Sequence, residues 1–287
     1  MNPHTTIQHI IELFRKELSQ QYPPREIESL YQIVLEHILK YSKIDIHLNK
    51  GTKIADNQLK KIMNCLDQLR QNRPIQHILG QTEFYDLVFK VNEFTLIPRP
   101  ETEELVHWIL QEHTDANYQI LDIGTGSGCI PITLAHHLPK AHVISVDISE
   151  KALLTAKENA NNNRVNVEFL LRNILQWEDH SWPSLIDMIV SNPPYIRESE
   201  KSLMAPNVLD YEPASALFVS DDDPLIFYRK IASMAMKYLK PQGKLYFEIN
   251  ESLGKEMIDL LQQTGFINII LRKDINGRDR MIVAQKS

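Results

Sequence analysis

Four consecutive residues, Asn192-Pro193-Pro194-Tyr195, have the types and the order to hold a planar amino group. They directly follow the apolar run at 186–191, which indicates a buried strand that enters a turn. The side-chain carbonyl of Asn192 and the backbone carbonyl of Pro193 can accept two hydrogen bonds, and neither proline has an N–H group that competes as a donor. Tyr195 adds a flat aromatic face. The motif therefore predicts a rigid pocket rim that orients the –NH2 group of a carboxamide or an aminopurine.

A glycine-rich turn comes earlier in the chain. Gly124, Gly126 and Gly128 are three of only nine glycines, and they stand in the run DIGTGSG at 122–128. Glycines between a strand and a helix permit a tight turn and let a ligand touch the backbone. Asp147 ends the next predicted strand, 19 residues after Gly128, where an acid is placed to bind ribose hydroxyls. The turn and the acid together predict a cofactor that carries a nucleoside.

The spacing of these glycines distinguishes between cofactors. The dinucleotide fingerprint G-x-G-x-x-G needs its third glycine at 129 or 131, where this chain has Cys129 and Pro131. NAD is therefore disfavoured, and G-x-G-x-G followed by a ribose acid favours S-adenosylmethionine, which has no pyrophosphate. The competing interpretation is a tight turn that binds no ligand, and the position of Asp147 argues against it.

The elements that must position these motifs fall into three regions. Residues 1–75 carry three apolar stripes at helical spacing and predict a small helical domain, because lone helices of this length are marginal in water. Residues 76–99 are expected to form a linker with a β-hairpin around 84–91. From 100 to 287 the pattern alternates strand and helix, beginning with a helix after Pro100. Alternation of this kind predicts an α/β domain with a mostly parallel, seven-stranded sheet covered on both faces.

Composition narrows the function classes. Residues 1–75 carry 11 basic and 8 acidic residues, a net charge of +3, whereas the remainder carries 20 against 29, a net charge of −9. Because phosphate contacts supply most of the affinity for duplex DNA, this charge disfavours a DNA enzyme, although a local basic patch can hide in a total. Two isolated cysteines argue against a disulfide framework and a metal site, and we expect no metal. Without a signal peptide or an apolar run of about 18 residues, we expect a cytoplasmic protein with no membrane contact.

Several further segments, together with the two motifs, resemble one known family. They are RPIQHILG at 73–80, LIPRPETE at 96–103 and RDRM at 278–281. This series is similar to the HemK/PrmC family of peptide chain release factor glutamine methyltransferases, and the resemblance covers nearly the whole chain. Two positions depart from the usual family pattern. Asn173-Ile174 stands where many members have an Asp-Trp or Asp-Leu pair near the adenine, and Asn250 follows the Phe247-Glu248 strand where many members have a glycine soon after.

The resemblance implies a Rossmann-like fold and methyl transfer to the side-chain amide nitrogen of the glutamine in the release factor Gly-Gly-Gln loop. It implies that the helical domain at 1–75 helps to dock the release factor. We also expect no direct contact to nucleic acid, given the charge, and we expect a monomer. By the resemblance, the substrate glutamine is held by Asn192, Pro193, Pro194 and Tyr195. S-adenosylmethionine is expected to contact the following residues: Gly124, Thr125, Gly126, Ser127, Gly128, Asp147, Asn173 and Asn192.

The chemistry of this reaction makes alignment the main task of the protein. A carboxamide nitrogen is a poor nucleophile, and orientation in a near-attack geometry can contribute about 7–11 kcal/mol. We expect the side-chain oxygen of Asn192 and the carbonyl of Pro193 to accept both amide hydrogens, so that the lone pair faces the methyl group. Tyr195 is expected to stack on the amide plane, which makes Asn192, Pro193 and Tyr195 the candidate catalytic residues. Water can take the proton released, so no dedicated base is expected.

Three alternatives stay open at the level of sequence. An adenine-amino methyltransferase of DNA or RNA also holds a planar –NH2 group, but it usually needs a basic groove and a site for a flipped base. Glutamine methylation of a ribosomal protein is a sibling activity that the motifs do not separate. A non-catalytic adaptor that binds the cofactor without turnover is disfavoured by the intact NPPY motif. Arg99 is open between a bracing role at the hairpin and contact with substrate or cofactor.

Overall fold

The computed structural model describes residues 5–114, 116–182 and 185–287. The chain divides into two compact units. The helical unit comprises the chain up to Gly80 together with Pro206–Tyr211. The sheet unit comprises Gln81–Ala205 and Glu212–Ser287.

The helical unit is built from helices that each bury one apolar face. Four of them precede residue 70: α1 (Ile7–Leu18), α2 (Pro24–Leu39), α3 (Lys43–Leu48) and α4 (Asp56–Leu69). Helix α1 has one buried apolar face, because every residue of its predicted stripe is buried. These residues are Ile7, Ile10, Ile11, Phe14 and Leu18. These side chains pack with those of α2 and α4 into one apolar core, which supplies the stability that isolated helices lack.

Two short helices of this unit were not predicted from the sequence. Helix α3 has six residues and buries only Ile46, so it carries too little periodicity to be detected. A capping box defines its start, because Ser42 and Asp45 each accept a hydrogen bond from the backbone N–H of the other. Helix α5 (Ile75–Leu79) lies where a linker was expected, and Gly80 ends it in the left-handed region at φ +70°.

The predicted hairpin opens the sheet unit. Strands β1 (Gln81–Phe84) and β2 (Leu87–Lys90) pair antiparallel, so the hairpin spans 81–90 where the sequence pattern predicted one around 84–91. Tyr85 and Asp86 both have positive φ, as a tight two-residue hairpin turn requires. The side chain of Asn159 then binds both the N–H and the carbonyl of Lys90, which fixes the hairpin to the helix that carries Asn159.

The sheet unit contains a seven-stranded sheet made of β3 (Gln119–Ile123), β4 (His142–Asp147), β5 (Glu168–Leu171), β6 (Ile186–Ser191), β9 (Leu239–Glu248), β10 (Phe266–Lys273) and β11 (Asp279–Lys286). Their order across the sheet is β10-β11-β9-β6-β3-β4-β5. The pairings of β5, β4, β3, β6 and β9 are parallel, and only the pairings of β11 are antiparallel. The prediction of an α/β fold with a mostly parallel seven-stranded sheet is therefore confirmed.

Helices cover both faces of this sheet because alternate residues of its central strands point to opposite sides. Leu121 and Ile123 of β3 belong to an apolar core with the helices at 226–238 and 254–264, whereas Ile120 belongs to a second core with the helices at 100–112 and 129–137. The main helices are α6 (Pro100–Glu112), α7 (Cys129–His137), α8 (Glu150–Asn162), α11 (Ile226–Tyr238) and α12 (Gly254–Thr264). Shorter elements connect them: a 3-10 helix at Ile174–Asp179, β7 (Ile196–Arg197), a 3-10 helix at Glu198–Leu203, α9 (Pro206–Leu209), α10 (Ala214–Leu217) and β8 (Phe218–Val219).

The topology brings four strand ends together. Because β3, β4, β6 and β9 run parallel, their carboxyl ends meet at one edge of the sheet, which is where ligands bind in open α/β folds. Asp147, Ser191 and Glu248 are the last residues of three of these strands. Within the described part of the chain, no helix combines the length and the apolar character that a membrane crossing requires.

Candidate active site

A cavity of about 370 Å³ opens at this edge of the sheet unit. Most of the residues predicted from the sequence to bind cofactor or substrate line it: Gly124, Thr125, Gly126, Ser127, Asp147, Asn173, Asn192, Pro193 and Pro194. Gly128 and Tyr195 are the two predicted residues that are not among its lining residues. The cavity is therefore the place where the glycine turn and the NPPY motif meet.

The glycine turn forms one wall, with its backbone open to the cavity. Gly124 and Gly126 adopt positive φ values of +86° and +54°, which side chains rarely tolerate. No heavy atom lies within 4 Å of the position that a Cβ on Gly126 would take. The N–H of Gly124 donates to the carbonyl of Val146, at 2.9 Å, and this bond ties the turn to the end of β4. The turn thus leaves space for a ligand directly against its backbone.

Gly128 is packed against other side chains, unlike Gly126. A Cβ at this position would lie 2.7 Å from Ile132 Cδ1 and 3.1 Å from the Cβ of Ala156. Its glycine therefore permits α7 to approach α8 closely. The structure places this residue in helix packing, and contact between Gly128 and a cofactor stays a prediction.

Asp147 presents a carboxylate to the cavity from the end of β4. The N–H of Gly126 donates to its Oδ2 at 2.9 Å, and the N–H of Ser149 donates to its Oδ1 at 2.8 Å. Burial raises the pKa of this carboxyl, and these backbone donors act in the opposite direction. Each oxygen keeps a further lone pair, so the two together can accept hydrogen bonds from a pair of ribose hydroxyls.

Beside Asp147, the cavity wall becomes apolar and can contain a flat ring. Ile148, Ile174 and Leu175 line this part. Asn173 stands next to them, and its side chain accepts from the N–H of Leu175 at 3.0 Å and donates to Gln176 Oε1 at 3.1 Å. The open glycine backbone, the ribose acid and these apolar walls fit a nucleoside-bearing cofactor such as S-adenosylmethionine.

The NPPY motif lines the same cavity with Asn192, Pro193 and Pro194, and hydrogen bonds hold its start and end. Ser191 Oγ donates to the carbonyl of Ile123 at 2.7 Å, which joins the ends of β6 and β3. At the other end, Asn250 Nδ2 donates to the carbonyl of Tyr195 at 3.1 Å. Asn250, one of the two departures from the family pattern, thus braces the loop that carries the motif.

The orientation of the Asn192 carboxamide follows from its partner. Its Nδ2 donates to Thr102 Oγ at 3.2 Å, whereas its Oδ1 accepts no hydrogen bond from any of the described residues. Asn192 is half-buried and lines the cavity, so this oxygen is available to a donor on a substrate. The Pro193 residue that follows is buried and contributes to the same wall.

Tyr195 is held by its hydroxyl group. The hydroxyl donates to Glu248 Oε1 at 3.0 Å, and Thr102 Oγ donates to the other oxygen of the same carboxylate at 2.6 Å. Burial raises the pKa of Glu248, while its hydrogen bonds from Thr102 and Tyr195 lower it. Burial, followed by the nearby Glu248 charge, raises the pKa of Tyr195, which keeps its phenol protonated and able to donate. Stacking of this ring on a substrate stays a prediction.

Sequence reasoning did not assign a function to Thr102 or Glu248. Thr102 lies in the segment 96–103 that carries the family resemblance, whereas Glu248 ends β9 two residues before Asn250, one of the two departures from the family pattern. The signal that points to them is a buried polar residue at the end of an element next to the cavity, since polar groups are buried only with partners. Thr102 is 2% exposed and Glu248 is 1% exposed.

Arg99 also lines the cavity, and its partner is another buried carboxylate. Its Nη2 donates to Glu212 Oε1 at 2.5 Å, and the N–H of Ile97 donates to Oε2 of the same residue at 2.9 Å. Glu212 is 6% exposed. Arg99 therefore has a bracing role, since it joins the segment before α6 to the loop that carries Glu212. Among the described residues, no cluster of three or more histidines, cysteines or acids is arranged to hold a metal ion.

Comparison with known proteins identifies the family. The family model "Methyltransferase domain" matches residues 114–269, and "PrmC N-terminal domain" matches residues 9–80. A third model, "Protein-L-isoaspartate(D-aspartate) O-methyltransferase", matches residues 45–176. A release factor glutamine methyltransferase of Flavobacterium psychrophilum is 50% identical over 94% of this chain and 95% of its own length. The chain belongs to the release factor glutamine methyltransferase family.

Further comparisons agree with this assignment. A release factor glutamine methyltransferase of Bacteroides thetaiotaomicron is 42% identical over 96% of this chain and 99% of its own. The crystal structure of a methyltransferase from Pyrococcus furiosus superimposes with a TM-score of 0.51 and 16% identity, covering 81% of this chain and all of that one. At this identity the likeness shows the fold alone. The family predicted from the NPPY and IPRPETE segments is confirmed.

Proposed function

We propose that the protein transfers a methyl group from S-adenosylmethionine to the side-chain amide nitrogen of the glutamine in the Gly-Gly-Gln motif of peptide chain release factors. The observation that carries this proposal is the orientation of Asn192. Its Nδ2 is engaged by Thr102, so its Oδ1 is left to accept a hydrogen bond inside a cavity that also contains the ribose acid Asp147. The family to which the chain belongs supports the choice of a release factor glutamine as substrate.

The residues along the glycine turn and the end of β4 would hold the cofactor. We assign the ribose to Asp147, whose two oxygens are fixed by backbone donors, and the adenine to the apolar wall beside Asn173. When bound, S-adenosylmethionine supplies a methyl group on a positively charged sulfur, which is a strong electrophile. The chain itself therefore needs to supply position more than chemical activation.

Asn192 and Pro193 perform that positioning. The two N–H groups of a substrate carboxamide donate to Asn192 Oδ1 and to the Pro193 carbonyl, which directs the nitrogen's lone pair across the cavity. The same two oxygens stabilise the positive charge that develops on the nitrogen during transfer. The nitrogen then loses a proton to water, so the site needs no dedicated base. Fixing the hydroxyl of Tyr195 on Glu248 limits rotation of the ring that we expect to stack on the amide.

The helical unit is proposed to dock the release factor. Its helix α3 exposes two large apolar side chains one turn apart, Ile44 at 71% and Leu48 at 75%, which favours a protein partner. Replacing both by serine is expected to raise the KM for the intact release factor while leaving kcat unchanged. A short Gly-Gly-Gln peptide is the control, because it lacks the rest of the release factor that the helical unit is proposed to bind, and its KM should not change. Equal effects on both substrates would contradict a docking role.

Parallel transfer of labelled methyl groups tests the proposed function. Purified release factor, the same factor with its motif glutamine replaced by alanine, a ribosomal protein mixture and DNA or RNA are each incubated with labelled S-adenosylmethionine. We expect label only in the unaltered release factor, on the motif glutamine. Label in the ribosomal proteins would point to the sibling glutamine methyltransferase, and label in nucleic acid alone would overturn the proposal.

With a release factor as substrate, the protein is proposed to act in the cytoplasm as a monomer and without direct contact to nucleic acid. The net charge of −9 over the residues after 75 supports the last point, because it gives phosphates little attraction.

A further inference from the structure

A buried chain of hydrogen bonds lies behind the NPPY wall of the cavity. It begins at Asn192, whose Nδ2 donates to Thr102 Oγ at 3.2 Å, and continues from that hydroxyl to Glu248 Oε2 at 2.6 Å. Thr102 belongs to the first turn of α6, and Glu248 ends β9, so three separate elements meet in this chain. Tyr195 joins it from the side through Glu248 Oε1, at 3.0 Å.

The direction of every bond in this chain is set by the carboxylate. An ionised carboxylate has no proton and can only accept, so the hydroxyl of Thr102 must donate to it. That hydroxyl has a single proton, so its oxygen can then only accept from Asn192. The group of Asn192 that faces Thr102 must therefore be the –NH2, and its carbonyl oxygen must face the cavity.

We propose that Thr102 and Glu248 are positioning residues, which lock the Asn192 carboxamide with its acceptor oxygen toward the substrate nitrogen. This inference rests on the proposed function, because it concerns the same reaction. Without the lock, the carboxamide can turn by half a rotation and present its –NH2 to the substrate. Two –NH2 groups would then face each other, and the substrate nitrogen would lose one of its two acceptors.

This direction depends on the ionised form of Glu248, which the hydrogen bonds from Thr102 and Tyr195 and the nearby Arg280 guanidinium favour against its burial. A glutamine at 248 can keep an oxygen for the Tyr195 hydroxyl while its –NH2 donates to Thr102. The Thr102 proton is then free to go to Asn192 Oδ1, which reverses the carboxamide. A loss of orientation is thus expected from Glu248→Gln even though the side chain keeps its size.

Thr102→Val and Thr102→Ser form the central pair of variants. Valine keeps the shape of threonine and removes the hydroxyl, whereas serine keeps the hydroxyl. We expect kcat to fall about tenfold or more in Thr102→Val, which corresponds to loss of one hydrogen bond of about 1.5 kcal/mol. Thr102→Ser is expected to retain most of kcat, and the Kd for S-adenosylmethionine should change in neither variant.

Thr133→Val is the matched control for a buried threonine. Thr133 is fully buried in α7, and its hydroxyl has no hydrogen-bond partner among the described residues. This substitution makes the same chemical change in the same unit, and kcat should stay at the wild-type value. A loss of kcat equal to that of Thr102→Val would attribute the effect to general packing and overturn the inference.

The double variant Asn192→Ala/Thr102→Val separates positioning from a direct or structural role. If Thr102 acts through Asn192, the valine should lower kcat no further once the carboxamide is gone. A further tenfold loss in the double variant would contradict the inference, as would equal kcat in Thr102→Val and Thr102→Ser. If Thr102→Val does not fold, Glu248→Gln provides a second test. This variant should lower kcat while the Kd for S-adenosylmethionine stays unchanged, and an unchanged kcat would contradict the inference. Absence of glutamine methylation by the wild type would be a failure of the proposed function instead.

Discussion

Replacement of Gly128 by alanine distinguishes a packing role from a ligand-binding role at the last glycine of the turn. Gly128 has φ +85°, and a Cβ there would lie 2.7 Å from Ile132 Cδ1 and 3.1 Å from the Cβ of Ala156. An L-residue in the left-handed region costs about 1–2 kcal/mol, and an extra methyl group in a packed interior costs about 1–3 kcal/mol. The less flexible unfolded chain offsets about 0.4–1 kcal/mol of this cost. We therefore expect Gly128→Ala to lower the free energy of unfolding by about 1–4.5 kcal/mol.

Gly277→Ala is the matched control for this substitution. Gly277 has a similar φ of +79°, but no heavy atom lies within 4 Å of its Cβ position. Its backbone strain of about 1–2 kcal/mol is partly offset by about 0.4–1 kcal/mol from the less flexible unfolded chain. The difference between the two variants therefore isolates the contact of α7 with α8.

Urea unfolding followed by tryptophan fluorescence, without cofactor, measures this difference. All three tryptophans, Trp108, Trp177 and Trp182, lie in the sheet unit, so the signal reports the unfolding of that unit. Equal destabilisation by Gly128→Ala and Gly277→Ala would refute the packing argument. A stable Gly128→Ala variant that fails to bind S-adenosylmethionine would show that this glycine contacts the cofactor.

Three further predictions follow from buried carboxylates of the sheet unit. Asp147→Asn should raise the Kd for S-adenosylmethionine about 10- to 100-fold, because it weakens charge-assisted hydrogen bonds of about 1.5–3 kcal/mol to the ribose. An unchanged Kd in calorimetry would contradict the assignment of Asp147 to the ribose. Burial raises the pKa of Asp122 from 3.8 to about 7, so the folded state binds more protons than the unfolded state between these pH values. The free energy of unfolding should therefore fall as pH rises from 4 to 7. Asp122→Asn should flatten this dependence in urea titrations, and an unchanged slope would exclude Asp122 as its source. Arg99→Ala should lower the free energy of unfolding by about 3 kcal/mol, because it leaves Glu212 buried without its partner. Adding Glu212→Gln should recover part of that loss. A larger loss in the double variant would show that the unpaired Glu212 charge is not the cause.

The sheet and its motifs were predictable because their signals are local. Short apolar strands that alternate with amphipathic helices indicate a parallel sheet, and parallel strands end at one edge. The glycine turn at 124–128 and the NPPY run at 192–195 each follow such a strand, so they lie at that edge. The structure places all but Gly128 and Tyr195 in the lining of the cavity, and the roles of these residues toward ligands stay predictions.

Contacts between distant parts of the chain were not predictable in this way. Thr102 and Glu248 are 146 residues apart, and Asn192 and Thr102 are 90 apart, so no spacing rule connects them. Gly128 looked like its neighbours in the turn because its sequence environment is the same, and only the approach of Ala156 reveals its packing. Helix α3 was not predicted because a six-residue helix with one buried residue has no apolar periodicity to detect.

Turnover by the Asn192→Ala variant tests the central claim most directly. Removing one of two preorganised groups that stabilise a developing charge lowers kcat by about 10²–10³-fold, and the cavity wall that holds the ribose is left intact. We therefore predict that this variant methylates release factor at a kcat reduced by about 10²–10³-fold while its Kd for S-adenosylmethionine stays at the wild-type value. An unchanged kcat would contradict the claim that Asn192 orients the substrate amide.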